Sequence, residues 1–193
     1  GGVLTRLTDD AYTELEAAFT PDGRGLVFST DRFSTDLDGL VAGPLRLARM
    51  DLASRRVESI AGFLTGKHVG PQVSPDGRTV TFVADPDGIA NVYRMDLAGG
   101  PIEQLTAVAT GVSGITASSP ALSMARDTGR LAFSVFERGG TSLYTLDPAS
   151  HGFAREDIAK DLKWKPVYLK SWAGNQQNIG LQDHLWAEPL SGI

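Results

Sequence analysis

Short apolar runs broken by clusters of Pro, Asp and Gly recur along most of the chain. GLVFST (25–30), TVTFVA (79–84) and LAFSVF (131–136) each follow a turn centred on an aspartate, Asp22, Asp76 or Asp127. A phenylalanine sits at the same place in each run: Phe28, Phe82 and Phe133. Runs of this length bounded by turn residues predict strands rather than helices. In Pro-Asp-Gly, Pro presets φ at the first central position of the turn, and Gly takes the later position that needs a positive φ.

A further strand follows each run: LRLARMDLAS (45–54), NVYRMDLAGG (91–100) and SLYTLDPAS (142–150). Val92, Arg94 and Asp96 alternate with Tyr93, Met95 and Leu97, the period-two pattern of a strand. Twenty residues separate Asp76 from Asp96, and Asp127 from Asp147. From Asp22 to Asp51 the distance is 29, so the first copy carries a nine-residue insertion, DRFSTDLDG (31–39). A more polar fourth strand completes the unit: RVESIA (56–61), IEQLTA (102–107) and FAREDIA (153–159). The opening LTRLTDD (4–10) matches EQLTAVA as a fourth strand without the preceding three.

Repeated units of four strands predict propeller blades. The succession SPDGR, apolar strand, DPDG, NVYRMDL, GG, EQLT in residues 74–106 resembles the TolB-type (PD40, WD40-like) six-bladed β-propeller repeat. Similar blades occur in the N-terminal domains of prolyl-oligopeptidase-like serine peptidases. The expected fold is therefore all-β, with blades of four antiparallel strands. Residues 1–160 are expected to form three blades plus an N-terminal closing strand. Three blades do not close a ring, so a homodimer completing six blades is the expected assembly, with LTRLTDD closing the last blade of the partner or of its own chain. Residues 161–193 hold Trp164, Trp172 and Trp186 without a repeat, and are expected to form a terminal extension or an interface arm. The resemblance implies a binding or scaffolding module in the bacterial envelope, periplasmic or secreted.

Composition narrows the chemistry. The 193 residues are 41% hydrophobic and 21% charged, with a formal net charge of -5, ordinary for a globular protein. The balance gives no electrostatic footprint for nucleic acid, and no apolar run approaches the roughly 20 residues of a membrane-spanning helix. The absence of cysteine excludes disulfides, thiolate nucleophiles and zinc–thiolate sites. No GxSxG, HExxH, Walker A or GxGxxG motif is present.

Candidate chemistry therefore rests on the start of the innermost strands, which line the axis of a propeller. The repeat alignment puts Glu14, His68 and Ala117 at one level and Glu16, Gly70 and Ser119 at the next. Imidazole and carboxylate are suitable ligands for a divalent metal, zinc or calcium. His68, Glu14 and Glu16 are the candidate metal residues. A metal there would lower the pKa of bound water and support hydrolysis of an ester, lactone or phosphotriester. This second functional reading rests on analogy with other six-bladed propellers. In the alternative, His68 and Glu14 are solvated or paired with each other. His151 and His184 read as surface residues. Asp31, Asp36 and Asp38 partly echo a calcium loop but lack its later Glu, which favours turn-forming aspartates. Arg49 and Arg94 are expected on solvated or inter-blade faces.

Overall fold

The computed structural model describes residues 2–148 apart from 115, 117 and 118. The turn-and-strand repeat is realised as three antiparallel sheets. The first is β1 (Glu14–Phe19), β2 (Gly25–Thr30), β3 (Arg46–Asp51) and β4 (Val57–Ser59), in that order across the sheet. The second repeats it with β5 (His68–Val73), β6 (Thr79–Ala84), β7 (Asn91–Asp96) and β8 (Glu103–Gln104). The third has β9 (Leu122–Met124), β10 (Leu131–Glu137) and β11 (Gly140–Leu146). Consecutive strands pair as neighbours throughout, the meander of a propeller blade. The expected FAREDIA strand, His151, His184 and residues 161–193 lie outside the described residues.

The turns form as their chemistry dictates. In the first, Gly23 takes φ +68° and its N–H donates to Thr20 O at 2.8 Å. Thr20 Oγ1 donates to Asp22 Oδ1 at 2.6 Å. In the second, Ser74, Asp76 and Gly77 repeat the same bonds at 2.6 and 2.8 Å.

Period-two alternation sends the side chains of one strand into two different interfaces. Val80, Phe82 and Ala84 of β6 pack with Val27, Leu47 and Ile60 of blade 1. Val83, between them, packs with Leu131, Phe133 and Val135 of blade 3. Blade 2 is thus apolar on both faces and buried between its neighbours. The three repeated phenylalanines, Phe28, Phe82 and Phe133, are all buried. Leu26, Phe28, Ala48 and Met50 form a third cluster on the face of blade 1 turned away from blade 2.

The fourth strands are shorter than the sequence pattern suggests, three residues in β4 and two in β8. Residues 4–10 form no strand within this chain. Arg55 Nη1 donates to Arg6 O at 3.2 Å and holds the segment beside blade 1.

Candidate functional site

β1 and β5 start at equivalent points, Glu14 opposite Thr30 and His68 opposite Ala84. Ala117, aligned with them by sequence, lies outside the described residues. One level further, both strands carry a β-bulge, between Leu15 and Ala18 and between Val69 and Gln72. Glu16 and Gly70 occupy these bulges in the left-handed region, at φ +55° and +61°. In blade 3, Leu122 stands opposite Phe133 and Ser134 N–H donates to Ala121 O at 3.1 Å. Six residues separate this level from the turn aspartate in all three blades, so the third position is Ala121 and not Ser119. Ser119 instead accepts from Thr116 N–H at 3.0 Å within its own loop.

Glu16 and Gly70 meet. Gly70 N–H donates to Glu16 Oε2 at 2.6 Å, linking the innermost strands of blades 1 and 2. Oε1 is buried and has no hydrogen-bond partner among the described residues. Burial pushes the Glu16 carboxyl above its usual range, and the Gly70 bond and the Lys67 charge offset only part of that rise.

His68 is buried, with its ring packed against Phe82 at 5.5 Å and Phe63 at 5.9 Å between centroids. Phe63 N–H donates to Nε2 at 3.0 Å. An amide N–H is only a donor, so Nε2 holds the lone pair and the neutral ring carries its proton on Nδ1. Nδ1 lies 3.4 Å from Leu45 O and 3.2 Å from Arg46 Nη1. A second proton would set N–H against N–H at Nε2 and a cation beside Arg46. Burial first, and then the Arg46 charge, lower the His68 pKa to about 4.

The three candidate metal residues turn to different partners. The Nε2 lone pair of His68 faces Phe63 N–H, Glu16 faces Gly70, and Glu14 Oε1 accepts from Arg32 at 3.0 Å. Arg32 also pairs with Asp10 and lies 4.8 Å from the centre of the Tyr12 ring. No three His, Cys, Asp or Glu side chains among the described residues are grouped to share a metal ion. The insertion aspartates serve their own loop. Asp31 Oδ1 accepts from Thr13 N–H at 2.7 Å and Oδ2 from Thr35 Oγ1 at 2.9 Å. Asp36 Oδ1 accepts from the N–H groups of Asp38 and Gly39 at 3.1 and 3.0 Å. Arg49 and Arg94 lie on the outer strands and pair across them, Arg49 with Glu58 at 2.5 Å and Arg94 with Glu103 at 2.7 Å.

A surface that the sequence reading passed over lies at the same end of the blades. Leu37 of the insertion, Leu40 and Val41 just after it, and Leu64 of the β4–β5 connection are exposed. Arg46 Nη1 donates to Phe63 O and Gly66 O at 3.0 and 2.9 Å, and Nη2 to Leu64 O at 2.7 Å. These bonds fasten the connection to the start of β3. The signal was present as apolar residues inside turn-rich stretches, DLDGLVAG and GFLTG, with no strand period to bury them.

No protein-family model matches the chain, and no curated protein matches it in sequence. Solved structures do match its fold. A putative TolB from Agrobacterium tumefaciens aligns over 74% of this chain and 48% of its own, at 18% identity and TM-score 0.56. TolB from Acinetobacter baumannii aligns over 72% and 30%, at 20% identity and TM-score 0.50. A puromycin-hydrolyzing peptidase from Mycobacterium tuberculosis aligns over 76% and 22%, at 18% identity and TM-score 0.56. The chain therefore spans less than half the length of each of these proteins. Its fold is that of a TolB-type β-propeller, with three blades among the described residues.

Proposed function

We propose that the chain is a TolB-like binding module that works through an assembled propeller ring and presents the loop end of blades 1 and 2 to a partner protein. The observation that carries this reading is the exposure of Leu40 and Val41 in the β2–β3 connection and of Leu64 in the β4–β5 connection, which Arg46 fastens to the start of β3. Clustered exposed apolar side chains mark contact surfaces. Selection of displayed peptides on the purified chain tests it. The expected result is binding that a Leu40→Ser, Leu64→Ser double variant loses while retaining its β-sheet spectrum. Binding that survives the double variant overturns the assignment of this surface.

The second reading is a metal-dependent hydrolase of an ester, lactone or phosphotriester, with a divalent ion in the channel. Its support among the structural neighbours is a hydrolase, the puromycin-hydrolyzing peptidase. It requires His68, Glu14 and Glu16 to leave the partners they now hold. Metal analysis, and ester and phosphotriester turnover with and without chelator, separate the two. Chelator-sensitive turnover lost in His68→Ala would replace the binding reading.

A further inference from the structure

Each fourth strand in this fold serves two blades. Ile60 N–H donates to Leu47 O of its own blade at 2.9 Å, and its side chain packs with Phe82 and Tyr93 of blade 2. Leu105 N–H likewise donates to Val92 O at 2.8 Å, and its side chain packs with Leu131 and Phe133 of blade 3. Residues 4–8, LTRLT, repeat the pattern of 102–106, IEQLT, with Leu7 in the place of Leu105. Leu7 borders a groove with Leu26, Phe28 and Met50 of blade 1. The segment thus lies where the fourth strand of a blade preceding blade 1 would lie. It has no strand beside it among the described residues, and Leu7 is 36% exposed where Ile60 and Leu105 are 6% and 1%.

Blade 3 shows the complementary deficit. Among the described residues, β11 has no strand on its outer side. Phe82 faces Tyr93 as Phe133 faces Tyr144, so Leu143 matches Val92 and Thr145 matches Arg94. Leu143 is 82% exposed where Val92 is fully buried. The pairing chemistry also matches. Blades 1 and 2 join their last two strands by Arg49 with Glu58 and Arg94 with Glu103. At the two open positions both members differ together: Thr145 replaces the arginine and Thr5 the glutamate. Opposed threonines are a favourable cross-strand pair, whereas a lone charge there would lack its counterpart.

We infer that residues 4–8 of a second copy of this chain form the fourth strand of blade 3, with Thr5 opposite Thr145 and Leu7 N–H donating to Leu143 O. Blade 2 lies between blade 1 and blade 3 in one chain, so a segment held on blade 1 reaches the β11 of another copy. The contact occurs twice in a two-fold dimer, is isologous, and joins three blades to three. It rests on the assembled-ring reading above.

The cysteine-free chain makes the test direct. Cross-strand partners lie about 5 Å apart at Cα, within disulfide range. Full-length Thr5→Cys and Thr145→Cys variants, each checked for native circular dichroism, are oxidised separately and as an equimolar mixture. The expected product is a disulfide-linked dimer of twice 20.5 kDa in the mixture only, with sedimentation showing a dimer at micromolar concentration for the unmodified chain. Folded variants that fail to cross-link overturn the inference, including the case in which residues 153–159 of the same chain occupy β11. So does a monomer in sedimentation, or an intrachain disulfide in the Thr5→Cys, Thr145→Cys double variant. A cross-linked dimer without a peptide ligand refutes the binding reading alone, and a peptide-binding monomer refutes the strand exchange and the assembled ring while leaving the loop surface as the peptide site.

Discussion

The carboxylate of Glu16 accepts the backbone N–H of Gly70 at 2.6 Å, and both residues sit at positive φ in matching bulges of neighbouring blades. One repeat uses glycine, which adopts that conformation freely, and the other uses a strained glutamate whose side chain satisfies the glycine's N–H. Glu16→Ala is expected to lower unfolding stability by about 1–2 kcal/mol, since it orphans the Gly70 N–H and keeps the strain. Glu16→Gly relieves the strain and should recover about 1 kcal/mol of that loss. Urea unfolding of the two variants checks the order, and an alanine variant as stable as the glycine one contradicts it.

Two positive-φ glycines separate strain from collision. A Cβ at Gly70 would find its nearest neighbours at 4.0 Å, Glu16 Oε2 and Leu122 Cβ, so Gly70→Ala should cost only the left-handed penalty of about 1 kcal/mol. At Gly66, φ +71°, a Cβ would stand 2.6 Å from Asp85 O, which is backbone and cannot turn aside. Gly66→Ala is expected to cost roughly 2 kcal/mol or more. Thermal unfolding of the pair should place Gly66→Ala clearly below Gly70→Ala.

His68 makes stability depend on pH in a defined window. Its folded pKa of about 4 lies below the ordinary imidazole value of 6.5, so between these values the unfolded chain binds the extra proton. The contribution is complete above about pH 6.5 and is lost as pH falls towards 4. The difference corresponds to at most about 3 kcal/mol. Glu16 acts in the opposite sense: its raised carboxyl pKa favours the fold where it is protonated and disfavours it as pH rises through the folded value. Urea midpoints between pH 6.5 and 4.5, compared with those of a His68→Gln variant, isolate the histidine. The variant is expected to show a flatter profile, and an unchanged slope refutes the assignment.

The blades were legible because their determinants are local and repeated. The turn aspartates, the buried Phe28, Phe82 and Phe133, and the RMD strands announce themselves by spacing. The innermost level of the third repeat follows from the same spacing, since six residues before Asp127, as before Asp22 and Asp76, stands Ala121 and not Ser119. His68 showed its residue type but not its neighbours. That Phe63 N–H and Arg46 would surround its ring depends on a connection whose path no periodicity encodes. The Glu16–Gly70 link joins positions 54 residues apart, and the repeat alignment shows their equivalence but not their contact.

A buried polar relay ties the end of blade 2 to the connection that follows it. Asn91 Oδ1 accepts from Thr106 Oγ1 at 2.9 Å and from Val108 N–H at 2.8 Å. Thr106 Oγ1 in turn accepts from Val92 N–H at 2.9 Å. The hydroxyl both donates and accepts, and a methyl group of the same size can do neither. Thr106→Val keeps the shape but leaves Val92 N–H without its acceptor and removes one of the two donors to Asn91 Oδ1. The expected cost is about 1–3 kcal/mol, the range for an unsatisfied buried donor. Thr106→Ser retains the hydroxyl and loses one methyl, which should cost about 1 kcal/mol. Chemical unfolding of both variants decides the matter: if Thr106→Val is the more stable, the relay contributes packing and not hydrogen bonding.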